Sequence, residues 1–306
     1  MGSYILKRFG YSLLSLFIIA TLSFIMMHSI PGSVFTGEKK FPPAIEQNLK
    51  AKYGLDKPIH EQYFRVMGNM LRLDFGMSMK NDGREVNDII KQGFPVSARL
   101  GLFAILFCFA VGIPLGIISA LKAGKWPDQT AMIIATIGVS VPSFVVATLS
   151  QYFLGVKLKI FPVIGFRTFM HAVLPAIALS FMPMSFIARM VRSSMVEVLE
   201  QDYIRTARAK GLSQAVVVLK HALKNSIMPV VTYMGPFIAY LLTGSFVIEK
   251  IFAIPGLGRY FVDSISNRDY TVMMGVIVFY SAFLIMMNFI VDLIYVVLDP
   301  RIKLKG

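Results

Sequence analysis

Six long stretches of this sequence contain no aspartate, glutamate, lysine or arginine, and they constrain the fold more than any other feature. Each is long enough for the roughly 20 residues that an α-helix needs to cross a hydrocarbon core. A helix satisfies its backbone hydrogen bonds internally, as a lipid environment requires. The sequence therefore predicts an all-α membrane protein with six transmembrane helices. The predicted spans are residues 9–30, 100–121, 129–156, 168–188, 225–248 and 270–291.

Composition and charge agree with a membrane location. Apolar residues make up 56% of the chain and charged residues only 16%, against about 25% charged residues in a soluble domain. The net charge of +14 is typical of lysines and arginines on the cytoplasmic side of a membrane protein, so no nucleic-acid partner is expected. The single cysteine, Cys108, excludes a disulfide within the chain and a cysteine-based metal cluster. We interpret Cys108 as a small core residue.

The distribution of lysine and arginine predicts which side each loop faces. With the N-terminus inside, the cytoplasmic loops and tail hold fourteen of them, the short outer loops six, and the long first outer loop eleven, which together give all 31. The positive-inside rule counts short loops and largely disregards long ones. We therefore expect both termini in the cytoplasm. The first span is too long for a signal peptide and is expected to be retained.

The predicted spans divide the chain into four parts. Residues 1–30 form the N-terminal start and the first span, and residues 31–95 form an extracytoplasmic loop subdomain between the first two spans. Residues 96–300 hold the other five spans and the cytoplasmic loop 189–225. Residues 301–306 form a cytoplasmic tail.

The loop subdomain carries three amphipathic stretches. Ile45 and Leu49 predict a short helix that stops at Gly54. Pro58 can occupy the first turn of a second helix. The apolar face of that helix is expected to consist of Ile59, Phe64, Met67 and Leu71, and a third stretch before Pro95 is marked by Val86, Ile89 and Ile90. These stretches predict a small cap on the outer surface, with packing favoured over a binding role.

The cytoplasmic loop 189–225 is long for a connector and is clearly patterned. Asp202 can cap a short helix over 203–210, which Gly211 would terminate. Ser213 can cap a second helix that runs toward Asn225 and Pro229. On the first helix, Tyr203, Ile204 and Ala207 are expected on one side, with Arg205 and Arg208 on another. The spacing alone leaves two interpretations open, a helix held by a protein outside the bilayer and a basic helix held by anionic headgroups.

The same loop resembles a known motif. The runs DYIRTARAKGL at 202–212 and KHALKN at 220–225, followed by Pro229, resemble the coupling loop of permeases of ATP-binding-cassette (ABC) importers. The similarity is closest to the dipeptide, oligopeptide and nickel permease family. Arg205 and Thr206 stand where the wider importer consensus has Glu and Ala, and Pro229 lies further from Gly211 than in that consensus; both departures look like the peptide-permease variant. The resemblance implies docking to a cytoplasmic ATPase through Tyr203, Ile204, Arg205, Thr206, Ala207, Arg208, Lys210 and Gly211.

The resemblance extends over nearly the whole chain. YGLDKP at 53–58 and DFGMS at 74–78 look like outer-loop signatures of the B-type oligopeptide permease subunit, and RMVRSSM at 189–195 resembles the start of its coupling loop. IPGLG at 254–258 and RDY at 268–270 are similar to the outer hairpin before its last span. Glycines there are expected to let the loop bend back toward a cavity mouth. The residues implied near that mouth are Pro255, Gly256, Gly258 and Arg259.

The resemblance also implies a fold, a function and partners. It implies a type I ABC importer permease fold in the bacterial cell membrane that forms a pathway for oligopeptides. The implied partners are a second homologous permease, two cytoplasmic ATPase subunits that use ATP and Mg, an extracytoplasmic binding protein, and membrane lipid. No cofactor is expected on this chain itself. A dipeptide or nickel-chelate cargo stays open, as does a membrane scaffold without transport activity.

Catalytic and relay motifs are missing from the sequence, in agreement with a permease subunit. A P-loop around Gly124 and Lys125 would need glycine in place of Ser119, and neither H-E-x-x-H nor G-x-S-x-G occurs. A proton relay or an ion filter would need ionisable groups or carbonyl rings at mid-membrane. Of the acids near the hydrocarbon, Glu249 and Asp292, we expect Asp292 to snorkel or to pair with a loop arginine.

The remaining polar groups in the spans have less specific interpretations. The isolated histidines His28 and His171 are expected to be packing or hydrogen-bonding residues rather than metal ligands. Hydroxyl groups within the spans can line a weakly polar conduit or form hydrogen bonds between helices. The candidate lining residues are Thr136, Ser140, Ser143, Thr148, Ser180, Thr232 and Thr243.

Overall fold

The computed structural model describes residues 2–29, 42–81 and 83–298, and every regular element within these ranges is a helix. The α-helices are α1 (Gly2–Ser29), α2 (Pro43–Tyr53), α3 (Ile59–Leu71), α4 (Val86–Leu121), α5 (Trp126–Ser140), α6 (Ser143–Ser150), α7 (Phe169–Leu199), α8 (Asp202–Ala209), α9 (Gln214–Val216), α10 (Leu223–Ser226), α11 (Met228–Leu242), α12 (Phe246–Ile251), α13 (Leu257–Asn267) and α14 (Tyr270–Leu298). A π-helical segment, Gln151–Lys157, continues α6, and a second, Val217–Ala222, joins α9 to α10. Predictions for Ile30, residues 31–41, residues 299–306 and the side chain of Thr232 lie outside the described residues.

The described helices provide six membrane spans when one bent pair is counted as a single span. Five stretches are long and apolar enough alone, namely Leu6–Ser29, Val86–Leu121, Phe169–Leu199, Tyr233–Ile251 and Tyr270–Asp292. The sixth joins α5 to α6 across a bend of 108°. Val141 is extended before Pro142, as residues before proline tend to be, so α5 ends at the proline. The predicted six spans are confirmed, but the third is broken rather than straight.

The chain forms two compact units, and residues 1–97 and 255–306 make up the first. In this unit α1 packs along α14. Arg8 of α1 forms an ion pair with Asp292 of α14. The arginine partner predicted for Asp292 is therefore present, although it belongs to a helix and not to a loop. Near the opposite ends of these two helices, a buried cluster contains Phe24, Met27, Tyr270, Met273 and Met274.

The two helices predicted at the start of the loop subdomain are both present. α2 ends at Gly54, whose φ of 60° is the left-handed conformation that commonly closes a helix. α3 follows Pro58, as predicted. The predicted apolar face of α3 is not the face that packs inward: Met67 contacts the buried cluster, but Ile59, Phe64 and Leu71 are exposed.

A face of mixed polarity lies inward on α3 instead. Packed against the buried cluster are Tyr63, Val66, Met67 and Met70. Gln62 is buried beside them, and its amide nitrogen donates hydrogen bonds to the carbonyl oxygens of Leu55 and Lys57 at 3.4 and 2.7 Å. A buried amide whose hydrogen bonds are satisfied costs little. Hydrophobicity alone therefore does not identify the face of α3 that packs inward.

The third predicted stretch of the loop subdomain is not a separate element. α4 begins at Val86 and continues for 36 residues through Pro95 into the second span. A proline inside a helix removes one backbone hydrogen bond. Burial on the N-terminal side of Pro95 offsets this loss: Val86 and Ile89 are buried, and a Cβ added to Gly275 would lie 2.6 Å from a Val86 methyl. Close packing of Val86 and Ile89 therefore stabilises α4 as a continuous helix through Pro95.

The second unit, residues 98–254, packs its helices through small residues. α5 turns Ala131, Ala135 and Gly138 toward its neighbours, and α5 and α7 are in extensive contact. A Cβ on Gly138 would overlap the Ser185 hydroxyl of α7. Small residues at such contacts let helix backbones approach closely in a membrane. The same applies at Gly101, where a Cβ would overlap a backbone oxygen of α11.

Candidate functional site

The candidate site is the segment that runs from the last turns of α7 to the start of α11. α7 runs for 31 residues to Leu199, about 46 Å at 1.5 Å per residue, and is longer than a hydrocarbon core is thick. The fourth span was predicted to end at residue 188, so the last turns of α7 extend beyond it. These turns lead directly into α8.

α8 is the short helix that the sequence predicted. It spans Asp202–Ala209 and is followed by Gly211, whose φ of 74° confirms the predicted stop. The predicted cap is wrong by one position, because Gln201 occupies the N-cap and Asp202 lies in the first turn. There the Asp202 carboxylate suits the positive end of the helix dipole. Ser213 occupies the predicted N-cap position of α9.

A buried cluster fixes α8 in place. Ile204 and Ala207 are the two buried side chains of this helix. They pack with Ala120 at the end of α4, Met195 near the end of α7, and further residues of the following segment. Those further buried residues are Val217, Val218 and Ala222. Because α8 rests on the ends of two long helices, a force applied to it would reach both of them.

The outward face of α8 is polar and basic. Arg205, Thr206, Arg208, Lys210 and Gly211 are all exposed. Three of these residues carry positive charge, so this face could contact an acidic protein surface or anionic headgroups.

Tyr203 does not share the buried side of α8 with Ile204 and Ala207, which differs from the prediction. Its side chain is 42% exposed, and its hydroxyl oxygen accepts a hydrogen bond of 2.8 Å from the Asn225 amide. That bond joins the start of α8 to α10, so Tyr203 both ties the segment together and presents its ring outward.

An ion pair that sequence reasoning missed lies close to this segment. Asp128, at the start of α5, is buried and accepts two hydrogen bonds from Arg192 of α7, from Nε at 2.6 Å and from Nη2 at 2.7 Å. The Ser119 hydroxyl and the Gly124 amide donate to the same carboxylate at 2.5 and 2.8 Å. Bidentate arginine–carboxylate pairs of this kind are strong and directional.

This group of four residues, which we call the Asp128 clamp, joins the turn between α4 and α5 to the end of α7. From the sequence, Asp128 is interpreted only as the edge of a span, and Arg192 only as one of many cytoplasmic cations. Their opposite signs on the same predicted side of the membrane were the available signal. A pairing 64 residues apart in sequence could not be chosen from that signal alone.

The proposed outer hairpin is helical for most of its length. Gly256 is the N-cap of α13 at a φ of −89°, a value that any residue can adopt. The positive φ in this region belongs to Ala253, at 51°. The expectation that glycine freedom shapes this turn is therefore wrong.

The start of α13 serves packing within the first unit. Gly256, Leu257 and Gly258 are buried, while Pro255 is exposed and Arg259 is half-buried beside Asp263 at 3.6 Å. The Leu257 amide donates a hydrogen bond of 2.9 Å to the Ser97 hydroxyl of α4. The structure gives these residues a packing role, and a place at a cavity mouth stays a prediction.

The hydroxyl groups in the spans bind their own helices. Those of Thr136, Ser140 and Thr148 donate to carbonyls four residues earlier at 2.8, 2.9 and 2.8 Å. All three side chains are exposed on α5 and α6, whereas Ser180 and Thr243 are buried and Ser143 is half-buried. Hydrogen bonds between helices were one of two interpretations of these hydroxyl groups. The three exposed ones form hydrogen bonds within their own helices instead.

The remaining singled-out groups have ordinary structural roles. The His28 ring contacts the Gln62 amide oxygen at 3.1 Å, and the His171 ring contacts the Thr168 hydroxyl at 2.8 Å. Cys108 is buried against the carbonyl of Ser180, so its interpretation as a core residue is confirmed. Glu249 is also buried. Among the described residues, no group of three or more His, Cys, Asp or Glu side chains could hold a metal ion.

Comparison with known proteins decides the family. A family profile described as "Binding-protein-dependent transport system inner membrane component" matches residues 112–304, and the profile for the N-terminal part of such components matches residues 1–101. The chain belongs to this family. It is therefore a permease component and a multi-pass membrane protein. The larger match contains α8 and both ends of the Arg192–Asp128 pair.

Relatives of this permease match over its whole length. It is 50% identical to the dipeptide transport system permease protein DppB of Bacillus subtilis, over 99% of each chain. It is 45% identical to DppB of Lactococcus lactis and 43% identical to the oligopeptide transport system permease protein OppB of Escherichia coli, in both cases over 99% of this chain and 100% of the relative. The resemblance found in the sequence is confirmed.

Solved structures show the fold of this permease. The MetNI methionine ABC transporter in inward-facing conformations matches with a TM-score of 0.56 and 21% identity, over 69% of this chain and 96% of the other. An amino acid ABC transporter matches with a TM-score of 0.51 and 15% identity, over 68% and 93%. The fold is that of a type I ABC importer permease.

Proposed function

We propose that this chain is a permease subunit of an ATP-driven importer of peptides. The observation that supports this most is the full-length identity of 50% to a dipeptide transport permease, together with 43% to an oligopeptide transport permease. The expected cargo was oligopeptides, with dipeptides as an alternative. Both kinds of relative match end to end, so the proposal covers short peptides of either class.

The geometry of α8 supports a coupling role. Its basic outer face is exposed, while Ile204 and Ala207 seat it on the ends of α4 and α7. In the proposal, a cytoplasmic ATPase subunit grips Tyr203, Arg205 and Arg208 from outside. Closure of two ATPase subunits around ATP and Mg then moves α8 together with the helices beneath it. The pathway would switch between inward and outward access, as two states coupled by a ligand do.

The remaining partners follow from the same assignment. A second homologous permease would complete the pathway, and an extracytoplasmic binding protein would deliver the peptide. Both termini would lie in the cytoplasm of a bacterial cell, with the loop subdomain outside. The chain itself would bind no cofactor. Exposed hydroxyls at Thr136, Ser140 and Thr148 would give the conduit a weakly polar surface suited to peptides of varied sequence.

Uptake measurements in cells lacking this chain test the proposal. We expect labelled dipeptides or short oligopeptides to enter at least about tenfold more slowly than in cells carrying the chain, because the pathway would be incomplete. Nickel uptake should be unchanged. Restoring the chain should restore peptide uptake. A selective loss of nickel uptake would move the cargo to a metal chelate, and unchanged uptake of both would favour the scaffold alternative.

A further inference from the structure

Helix α3 lies alongside the last turns of α1 and is in direct contact with them. The Tyr63 hydroxyl is hydrogen-bonded to the Thr21 hydroxyl at 2.9 Å, and the Tyr63 ring meets the Phe24 ring edge-on at 5.3 Å. Thr21 lies eight residues before the end of α1 at Ser29, a distance of about 12 Å along the helix. α3 therefore reaches the depth of the apolar, membrane-spanning part of α1.

Two contacts show which side of α3 lies deeper. Tyr63 touches Thr21, whereas its neighbour Gln62 touches His28 at 3.1 Å. His28 is seven residues, or about 10 Å, closer to the end of α1 than Thr21. The Tyr63 side of α3 consequently faces the middle of the span, and the Gln62 side faces the end of the span.

The chemistry of the two sides of α3 agrees with their depths in the membrane. On a helix, residues three or four apart form one row. The row that starts at Tyr63 continues through Met67 and Leu71, with Phe64 next to it. The row that starts at Gln62 contains Arg65, Asn69 and Arg72. The deeper side is thus apolar and the shallower side is polar.

The apolar row is largely uncovered by the rest of the chain. Leu71 is 87% exposed, Phe64 is 70% exposed, and Met67 is half-buried. A solvated surface would not favour two large apolar side chains with this exposure on one side of a helix. Nearby on α1, a further apolar surface is exposed. Its members near the end of the helix are Leu22, Ile25 and Met26.

We propose that the flank Phe64–Met67–Leu71 of α3 is inserted among the lipid acyl chains of the leaflet at the Ser29 end of α1. In the orientation proposed above, this is the outer leaflet. The flank continues the lipid-facing surface of α1, and the polar row with Arg65 and Arg72 lies at headgroup level. A helix with one apolar and one cationic side is typical of the membrane interface. The loop subdomain is therefore held by the bilayer as well as by α1 and α14.

Fluorescence quenching of single-tryptophan variants tests this insertion. Trp126 is the one native tryptophan and is exposed, so Trp126→Phe provides the background. Leu71→Trp places the probe on the apolar row, and Arg65→Trp places a matched probe on the exposed polar row of the same helix. The full chain is reconstituted in nanodiscs made from lipids brominated midway along their acyl chains. Iodide serves as the water-borne quencher.

We expect brominated lipid to quench Leu71→Trp by about twofold or more and iodide to quench it little, because an interfacial helix buries its apolar side by roughly 5–10 Å. Arg65→Trp should show the opposite pattern, because the polar row lies at headgroup level. Quenching of Leu71→Trp by iodide alone would overturn the proposal in favour of a water-exposed flank. Protection from both quenchers would overturn it in favour of a protein partner. Phe64→Trp repeats the measurement at a second exposed position, so the result does not depend on one variant.

Discussion

Replacing Gly211 with valine should abolish peptide uptake while the chain remains in the membrane. Gly211 ends α8 at a φ of 74°, and a β-branched residue held in such a conformation costs roughly 1–3 kcal/mol. A Cβ at this position would meet no atom within 4 Å, so the expected loss comes from the backbone and not from a clash. The chain can relieve the strain only by turning the end of α8, which would misplace its basic face.

The measurement compares uptake of a labelled peptide at equal amounts of permease in the membrane. Gly83→Val is the matched control, because Gly83 has a φ of 77° and equally open surroundings but lies in the loop subdomain. It should carry the same local strain and retain uptake. Gly211→Asn should also retain most of the activity, since asparagine tolerates this conformation. Uptake by Gly211→Val at the normal rate would show that the end of α8 has no coupling role.

Replacing Asp128 with alanine should destabilise the chain more than any change of an exposed charge. The Arg192 side chain is only 32% exposed, and the substitution removes the bidentate partner of its guanidinium. It also removes the acceptor for the Ser119 hydroxyl and the Gly124 amide. Removing one partner of a buried ion pair costs about 3–5 kcal/mol of stability. Because Arg192 is partly exposed, the expected loss for Asp128→Ala is about 3 kcal/mol.

Thermal unfolding of the purified chain in detergent measures this loss, with an expected fall in Tm of roughly 5 to 10 °C. Glu61→Ala is the matched control, because Glu61 pairs with Lys57 at 3.9 Å and both side chains are half exposed or more. An exposed pair of this kind contributes less than about 1 kcal/mol. Equal melting temperatures for Asp128→Ala and Glu61→Ala would contradict the assigned role of the Asp128 clamp.

Features that depend on local chemistry were predictable from the sequence. Uncharged stretches of sufficient length located the spans, and the glycines that end α2 and α8 were recognised at Gly54 and Gly211. In both cases the signal lies within a few residues of the feature it describes. Helix α8 was placed within one residue at each end for the same reason.

Features that depend on distant contacts were not predictable. The Asp128–Arg192 pair joins residues 64 positions apart, and nothing local to either residue selects the other. The inward face of α3 was misjudged because Gln62 becomes tolerable inside only when carbonyls at Leu55 and Lys57 accept its hydrogen bonds. A proline alone does not predict a bend. The chain bends at Pro142, whereas Pro95 lies inside a continuous helix. Surrounding packing decides between these two outcomes.

Site-specific photo-crosslinking from Arg208 tests most directly whether a separate ATPase grips α8. A benzophenone amino acid replaces this exposed residue, cells are irradiated, and any adduct is identified by mass spectrometry. We expect an adduct with a protein that carries a P-loop, and no such adduct when the same group replaces Glu61 on α3. Irradiation that links position 208 to lipid alone would show that no ATPase grips α8.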